Sequence, residues 1–325
     1  MTAPAFLLAY AAVLGTIAGP ILRRAAWPER APRLGIATWQ ALSASVVVAL
    51  VLGGLTLAVP AETLGEELAH LVAACVHMLH PGYAEPQQSG LATFALVAAL
   101  VTVLRIAQCL GSEIIRTSRL RRRLADALAI VGSHRPDLGV TLVQGDSPML
   151  YCLPGRSKQV VLTTGALTVL TADQLRAALA HERSHLNGHH HLVIAAAAAL
   201  ARAIPVLPLF ALAHDEVCRL IEMLADDDAG RTHNRTYLAA ALAHLAGVSP
   251  PEIGLAAGGL TAAARVRRLT APKQPLGLLR TTVGTGVVAL LRVIPTAMVI
   301  VPALAAAQSS YCDLPGAQPK TVQQA

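Results

Sequence analysis

The chain has 325 residues, of which 54% are hydrophobic, 3% aromatic and 14% charged, with a formal net charge of +7. A mean hydropathy of +0.54 excludes an ordinary soluble domain and the length excludes a mere anchor, so the composition describes a polytopic membrane protein. Five cysteines without a C-x-x-C pair give no support to a thiolate zinc site or a dithiol redox motif.

Apolar runs at 5 to 22, 38 to 59, 91 to 111 and 281 to 307 approach or exceed the ~20 residues that cross a bilayer. The first lacks a basic leader and a small-residue cleavage site, so it is expected to stay as a span rather than act as a signal peptide. Arg23, Arg24, Arg30 and Arg33 follow the first run, and Arg116, Arg119, Arg121, Arg122 and Arg123 follow the third. Arg265, Arg267, Arg268, Lys273 and Arg280 precede the fourth, whereas residues 60 to 90 hold four Glu and no Lys or Arg. The positive-inside rule therefore predicts a multi-pass protein of the cell membrane with these three segments cytoplasmic and both termini outside. Membrane flanks account for the arginines at 119 to 123, and no direct nucleic-acid partner is expected. Arg105 and Arg292 interrupt spans near their cytoplasmic ends, where snorkelling suffices.

On the outer side, residues 62 to 80 space Leu64, Leu68, Leu71, Val72, Cys75 and Leu79 as one face of a short amphipathic helix. Cys75 and Cys312 share that side and could pair, while Cys152 and Cys218 are expected cytoplasmic and reduced. The domains expected are residues 1–112 with three spans, 113–280 as a cytoplasmic, membrane-associated domain, and 281–325 with the last span and a short extracellular tail.

Within the central domain "GVTLVQ" (139 to 144), "PMLYCL" (148 to 153) and "QVVLTT" (159 to 164) read as short strands, with Pro154-Gly155 as a turn. Thr171 and Gln174 then form a capping-box pair ahead of a helical run that contains "AHERSHLNGHHH", 180 to 191. His181 and His185 stand one turn apart on one helix face, so both imidazoles can reach one zinc ion. Glu182 lies about 100° around the helix and can take a proton from a water on that ion without ligating it.

The same letters offer two third ligands. Gly188 and His191 complete H-E-x-x-H-x-x-G-x-x-H, in which the glycine turns the chain and presents a third histidine. Alternatively Glu222, on a helix expected over 214 to 230, completes a His-His-Glu site, with Asp226 accepting a ring N–H from a ligand histidine. Glu222 is favoured, because His189, His190 and His191 form a run that hits the required offset by chance. An apolar stretch, 192 to 213, also follows where a loop and methionine turn would be needed. Asp226, Asp227 and Asp228 crowd the C-terminal end of the acidic helix, where the macrodipole disfavours negative charge. For Glu222 to reach the histidines, residues 192 to 213 must not cross the bilayer. Pro205 and Pro208 predict a broken or buried hairpin instead. His233, Tyr237 and His244 are candidates for stabilising an oxyanion.

Together these residues resemble the BlaR/MecR-type membrane metallopeptidases, whose best-known members are beta-lactam-responsive antirepressors. "CLPGRSKQVVLTTGAL", "LTADQLRAALAHERSH", "EMLAD" and "RVRRL" (265 to 269) carry the resemblance along with the order of the spans; the H-E-x-x-H and E-x-x-x-D pair also looks like HtpX/CAAX-protease relatives. The resemblance implies an α+β, mainly helical polytopic membrane protein with about four transmembrane helices and a cytoplasmic gluzincin-type zinc peptidase domain containing a small sheet. It also implies His181, His185 and Glu222 as ligands of Zn2+, Glu182 as catalytic base, and a transcriptional repressor of the BlaI/MecI type as substrate in signal-dependent regulation. The receptors carry a penicillin-binding sensor domain after their last span, whereas this chain ends in "QSSYCDLPGAQPKTVQQA", so direct beta-lactam sensing is not expected. The alternatives are an HtpX-like quality-control protease of membrane proteins and a non-catalytic signalling protein with structural zinc. The expected partners are a protein substrate and the lipid bilayer; the oligomeric state stays open, a homodimer included.

Overall fold

The computed structural model describes residues 2–58, 86–155, 158–246 and 262–312. The amphipathic helix expected at 62 to 80, and with it Cys75 of the expected Cys75–Cys312 pair, lies outside these residues. Among the described residues, four helices are long and apolar enough to cross a membrane: Ala3–Arg24, Pro32–Ala58, Gly90–Val131 and Leu278–Val301. The first comprises α1 (Thr2–Val13), a π-helical turn (Leu14–Ala18) and α2 (Gly19–Arg24), and a short α3 (Trp27–Arg30) leads into α4 (Pro32–Ala58). The third belongs to α5 (Pro86–Val131), which passes residue 112 without a break. At 1.5 Å per residue it is about 69 Å long, far more than a bilayer's apolar thickness.

The chain divides into two compact units. One is built from residues within Met1–Leu14, Ala44–Leu104 and Ala289–Ala325. Its helices approach through small residues, as membrane helices do: a Cβ on Gly54 would stand 2.9 Å from the Ala99 Cβ, and Gly53 faces Leu8. Tyr10 and Ser45 join hydroxyls at 2.7 Å. Phe94, Leu100 and Leu104 stay exposed, as side chains facing lipid would.

The other unit, Gly15–Ser43 with Arg105–Val288, holds a sheet of β1 (Gly132–Arg135), β2 (Val140–Val143), β3 (Leu150–Leu153) and β4 (Gln159–Thr163). The strand order is β1-β2-β4-β3, with β2 and β4 parallel and the other pairs antiparallel. Three of these strands follow the expected segments. β1 does not: "GSHR" is almost wholly exposed and carries no apolar alternation by which a strand could be read.

After α6 (Thr164–Val169), α7 (Ala172–Asn187) starts at the expected capping box, with both Thr171–Gln174 hydrogen bonds formed. The period of two along the strands divides their side chains between two layers. Cys152, Val160 and Leu162 pack with Leu175 and Leu179 of α7, whereas Tyr151, Leu153 and Val161 pack with Leu128 of α5.

Two helices follow, α8 (His190–Ala203) and α9 (Pro208–Thr232). Pro205 lies in the four-residue connection and Pro208 occupies the start of α9, where a proline costs no hydrogen bond. α8, about 21 Å long, is too short to span, and the connection folds the pair into a hairpin. Arg105 Nε donates to the Ala203 carbonyl at 2.7 Å and Arg202 pairs with Glu113 at 2.6 Å. Arg105 is therefore a cap on the carbonyl end of α8, a more specific role than snorkelling. α10 (Arg235–Leu245), α11 (Ala262–Thr270) and α12 (Leu278–Cys312) complete the described chain.

Leu162 is fully buried between the strands and α7. Leu162→Ala is expected to cost about 2–5 kcal/mol, seen as a lowered melting temperature of the detergent-solubilised protein with its helical circular dichroism at low temperature preserved.

Candidate metal centre

His181 and His185 face inward from α7, with only 5% and 2% of their surfaces exposed. α9 packs against the same face and brings Glu222 to them. Nε2 of His181 and Nε2 of His185 are 3.1 Å apart. Glu222 stands 3.6 Å from the first through Oε2 and 3.5 Å from the second through Oε1. Ligand atoms each about 2.0–2.1 Å from a tetrahedral ion stand roughly 3.3 Å apart. The donor set, two imidazoles and a carboxylate, and the size of the triangle fit a zinc ion, and the three residues are a group that could hold a metal.

Each histidine is oriented from behind. His181 Nδ1 meets Asp226 Oδ1 at 3.0 Å, and Asp226 is wholly buried. Arg265 of α11 closes the other side of both acids, with Nη1 at 2.9 Å from Glu222 Oε2 and Nη2 at 2.6 Å from Asp226 Oδ1. Its Nη2 also lies 3.2 Å from His181 Nε2. His185 Nδ1 meets His190 Nδ1 at 3.0 Å.

These contacts set the charges of the side chains. Burial and the Arg265 charge pull His181 down, but Asp226 and Glu222 outweigh them and hold it at about 9. Burial pushes His185 down to about 3 and lowers His190, so both are neutral and one ring can accept from the other. Burial would raise Glu222 and Asp226. His185, His181 and Arg265 nevertheless keep Glu222 at about 2, and His181 and Arg265 keep Asp226 well below the usual carboxylate range.

Glu182 stands beside the triangle, and its Oε2 accepts from the Cys152 backbone N–H at 2.8 Å. β3 is an edge strand, so this contact sets its outer edge against Glu182. Burial lifts Glu182 above the ordinary carboxylate value. It also pushes the Cys152 thiol far up, so the contribution of Cys152 is its main chain.

His191 is not part of this group. It lies on α8 beside a cavity also lined by Arg121 and Arg122, and its buried Nδ1 has no partner among the described residues. Nor does the chain reverse at Gly188, which keeps a right-handed conformation (φ −76°) while His189 takes the left-handed one (φ 50°). Glycine at 188 makes room for a ring: a Cβ there would stand 2.4 Å from His190 Nε2. Of the suggested oxyanion donors, His233 contacts Thr232, Tyr237 is 42% exposed and His244 is exposed. None has a hydrogen bond to the cluster among the described residues.

His190 and Arg265 are the residues the sequence reading missed. His190 was absorbed into a histidine run, and Arg265 into the charge that orients the membrane spans. The signal for Arg265 was the E-x-x-x-D pair itself, since two carboxylates buried on one helix face need a cation. The crowded aspartates divide their tasks: Asp226 serves His181, Asp227 pairs with Arg268 and Asp228 with Arg33 and Arg231.

The family model of Peptidase family M48 matches residues 114–253, a stretch that includes both histidines, Glu182 and Glu222. The match supports a metalloprotease domain of the membrane-type zinc metallopeptidases, and it does not single out the BlaR/MecR type. No curated protein and no solved structure matches the chain.

Gly188→Ala is expected to push His190 off His185. Its zinc affinity, measured by competition with a chromophoric chelator, should fall about 10- to 100-fold, as it should for His190→Ala. Unchanged affinity in both variants would show that His190 does not support the site.

Proposed function

We propose that this chain is a membrane-integrated zinc endopeptidase in which His181, His185 and Glu222 hold the ion and Glu182 is the general base. The triangle of ligand atoms with sides of 3.1 to 3.6 Å is the observation that supports this reading most. When bound in such a site, zinc polarises a peptide carbonyl and lowers the pKa of water. Cys152 N–H holds one oxygen of Glu182, which aims the other at the attacking water. Glu182 takes the water's proton and returns it to the leaving amine. Its raised pKa brings it nearer neutrality, where a base can both accept and release a proton. Asp226 fixes the His181 tautomer with Nε2 towards the ion, and His190 does the same for His185.

The substrate is a protein, bound as an added strand on β3. Thr163 N–H donates to the Met149 carbonyl, so 149, 151 and 153 turn their main chain to β4, while Leu150 and Cys152 turn theirs to the site. Pairing there supplies main-chain hydrogen bonds, and neighbouring pockets select side chains. We assign the peptidase domain, 113–280, to the cytoplasm with both termini outside, on the distribution of arginines. We further assign its target to a repressor of the BlaI/MecI type, on the resemblance of the motifs. An HtpX-like clearance protease is the second reading, favoured by the edge strand, since main-chain pairing tolerates many sequences. A non-catalytic zinc protein would have no use for a base held at Glu182.

Glu182→Gln should keep zinc and lower hydrolysis of an unstructured reporter protein by about 10²–10⁴-fold; wild-type rates in that variant would remove Glu182 from the mechanism. The cleavage pattern separates the two substrate readings, a single cut in a repressor or many cuts in unrelated proteins.

Zinc uptake should also release a proton. Glu222 is already ionised and His185 neutral at pH 7, whereas His181, held at about 9, is protonated and must lose its proton to bind. Calorimetry in buffers of different ionisation enthalpy should find about one proton released per zinc at pH 7 and progressively less above pH 9. Affinity should fall about tenfold per pH unit between pH 8 and 6; a flat profile there would contradict the assigned charge of His181.

A further inference from the structure

A cavity of about 770 Å³ opens among the segment entering α4, the C-terminal part of α9 and the segment entering α12. None of His181, Glu182, His185 and Glu222 lines it. Pro32 and Thr281, which do, lie at the starts of two of the membrane-length helices. The cavity therefore sits where these apolar helices begin, the level at which lipid head groups would lie around them in a bilayer.

Six cationic side chains line it, Arg30, Arg33, Arg231, Arg235, Arg268 and Lys273, against three carboxylates. Those carboxylates are already engaged. Glu29 pairs with Arg219 and Asp227 with Arg268. Asp228 is shared by Arg33 at 3.0 Å and Arg231 at 2.9 Å, and accepts from Ser184 Oγ at 3.1 Å. Arg30 and Lys273 have no ion pair among the described residues. Arg235 donates through Nη2 to the Arg268 carbonyl, but its buried Nε has no partner among the described residues, and an unmet buried donor is costly.

Uncompensated cations and an unmet guanidinium N–H at the level of the head groups specify an anion rich in acceptor oxygens. Basic pockets between membrane helices are where anionic lipid head groups bind. An excess of three positive charges is more than one phosphodiester neutralises. We propose that this cavity binds the head group of an anionic phospholipid that carries two phosphates.

The test uses the full chain in detergent micelles, titrated with cardiolipin, phosphatidylcholine or inorganic pyrophosphate, with bound ligand counted by native mass spectrometry. One cardiolipin should be retained in preference to phosphatidylcholine, and salt should weaken it. Arg30→Gln with Lys273→Gln, which breaks no ion pair among the described residues, should weaken it about thirtyfold without change in circular dichroism. Equal retention of cardiolipin and phosphatidylcholine by the wild-type protein would overturn the proposal, whatever the variant does. Pyrophosphate binding as tightly as cardiolipin would overturn it in favour of a soluble anion, and undiminished binding by the double variant would place the lipid elsewhere.

Discussion

Asp226 has no exposed surface, and a carboxylate withdrawn from water is tolerated only when paired and hydrogen-bonded. Two partners meet that demand at once: the His181 ring at 3.0 Å and the Arg265 guanidinium at 2.6 and 3.0 Å. They come from α7 and α11, while Asp226 belongs to α9, so one charge locks three helices. Glu222, one turn earlier on α9, is thereby set against both histidines. Losing either partner would leave Asp226, a buried charge, with only the other to meet it, so the fold and the candidate metal centre share one set of contacts.

That arrangement depends in turn on how the chain returns from α8. A helix of 14 residues, about 21 Å long, is too short to cross a bilayer's apolar thickness. Pro208 starts the next helix where its missing N–H does no harm. Arg105 and Arg202 fasten the end of α8 to α5. The histidines and Glu222 consequently meet on one side, beside the outer edge of β3, with Cys152 N–H orienting Glu182. Glu182, a carboxylate-histidine triangle and a strand edge in one place are the parts that the proposed hydrolysis of an extended peptide requires.

Much of this was legible in the letters. H-E-x-x-H places two rings on one helix face whatever surrounds them. The capping box fixed the start of α7, and prolines marked the hairpin. Apolar length revealed the spans. What was not legible were long-range electrostatic partners. Arg33, Arg265 and Arg268 count towards a cytoplasmic charge bias, and that statistical role hid their individual ones, because a charge does not name its partner. His190 was similarly hidden in a run of three histidines; its separation from Gly188 was too short to suggest that the glycine exists to admit its ring. β1 escaped because exposed polar strands have no apolar alternation.

The central claim is that Glu222, and not His191, joins His181 and His185 around one ion. Zinc per chain, measured by elemental analysis after identical loading of wild type, Glu222→Ala and His191→Ala, tests it most directly. The account predicts about one zinc in the wild-type protein and in His191→Ala, and loss of the metal from Glu222→Ala. Retention in Glu222→Ala with loss from His191→Ala would contradict it, and would mean that the ion is held within the short histidine motif instead.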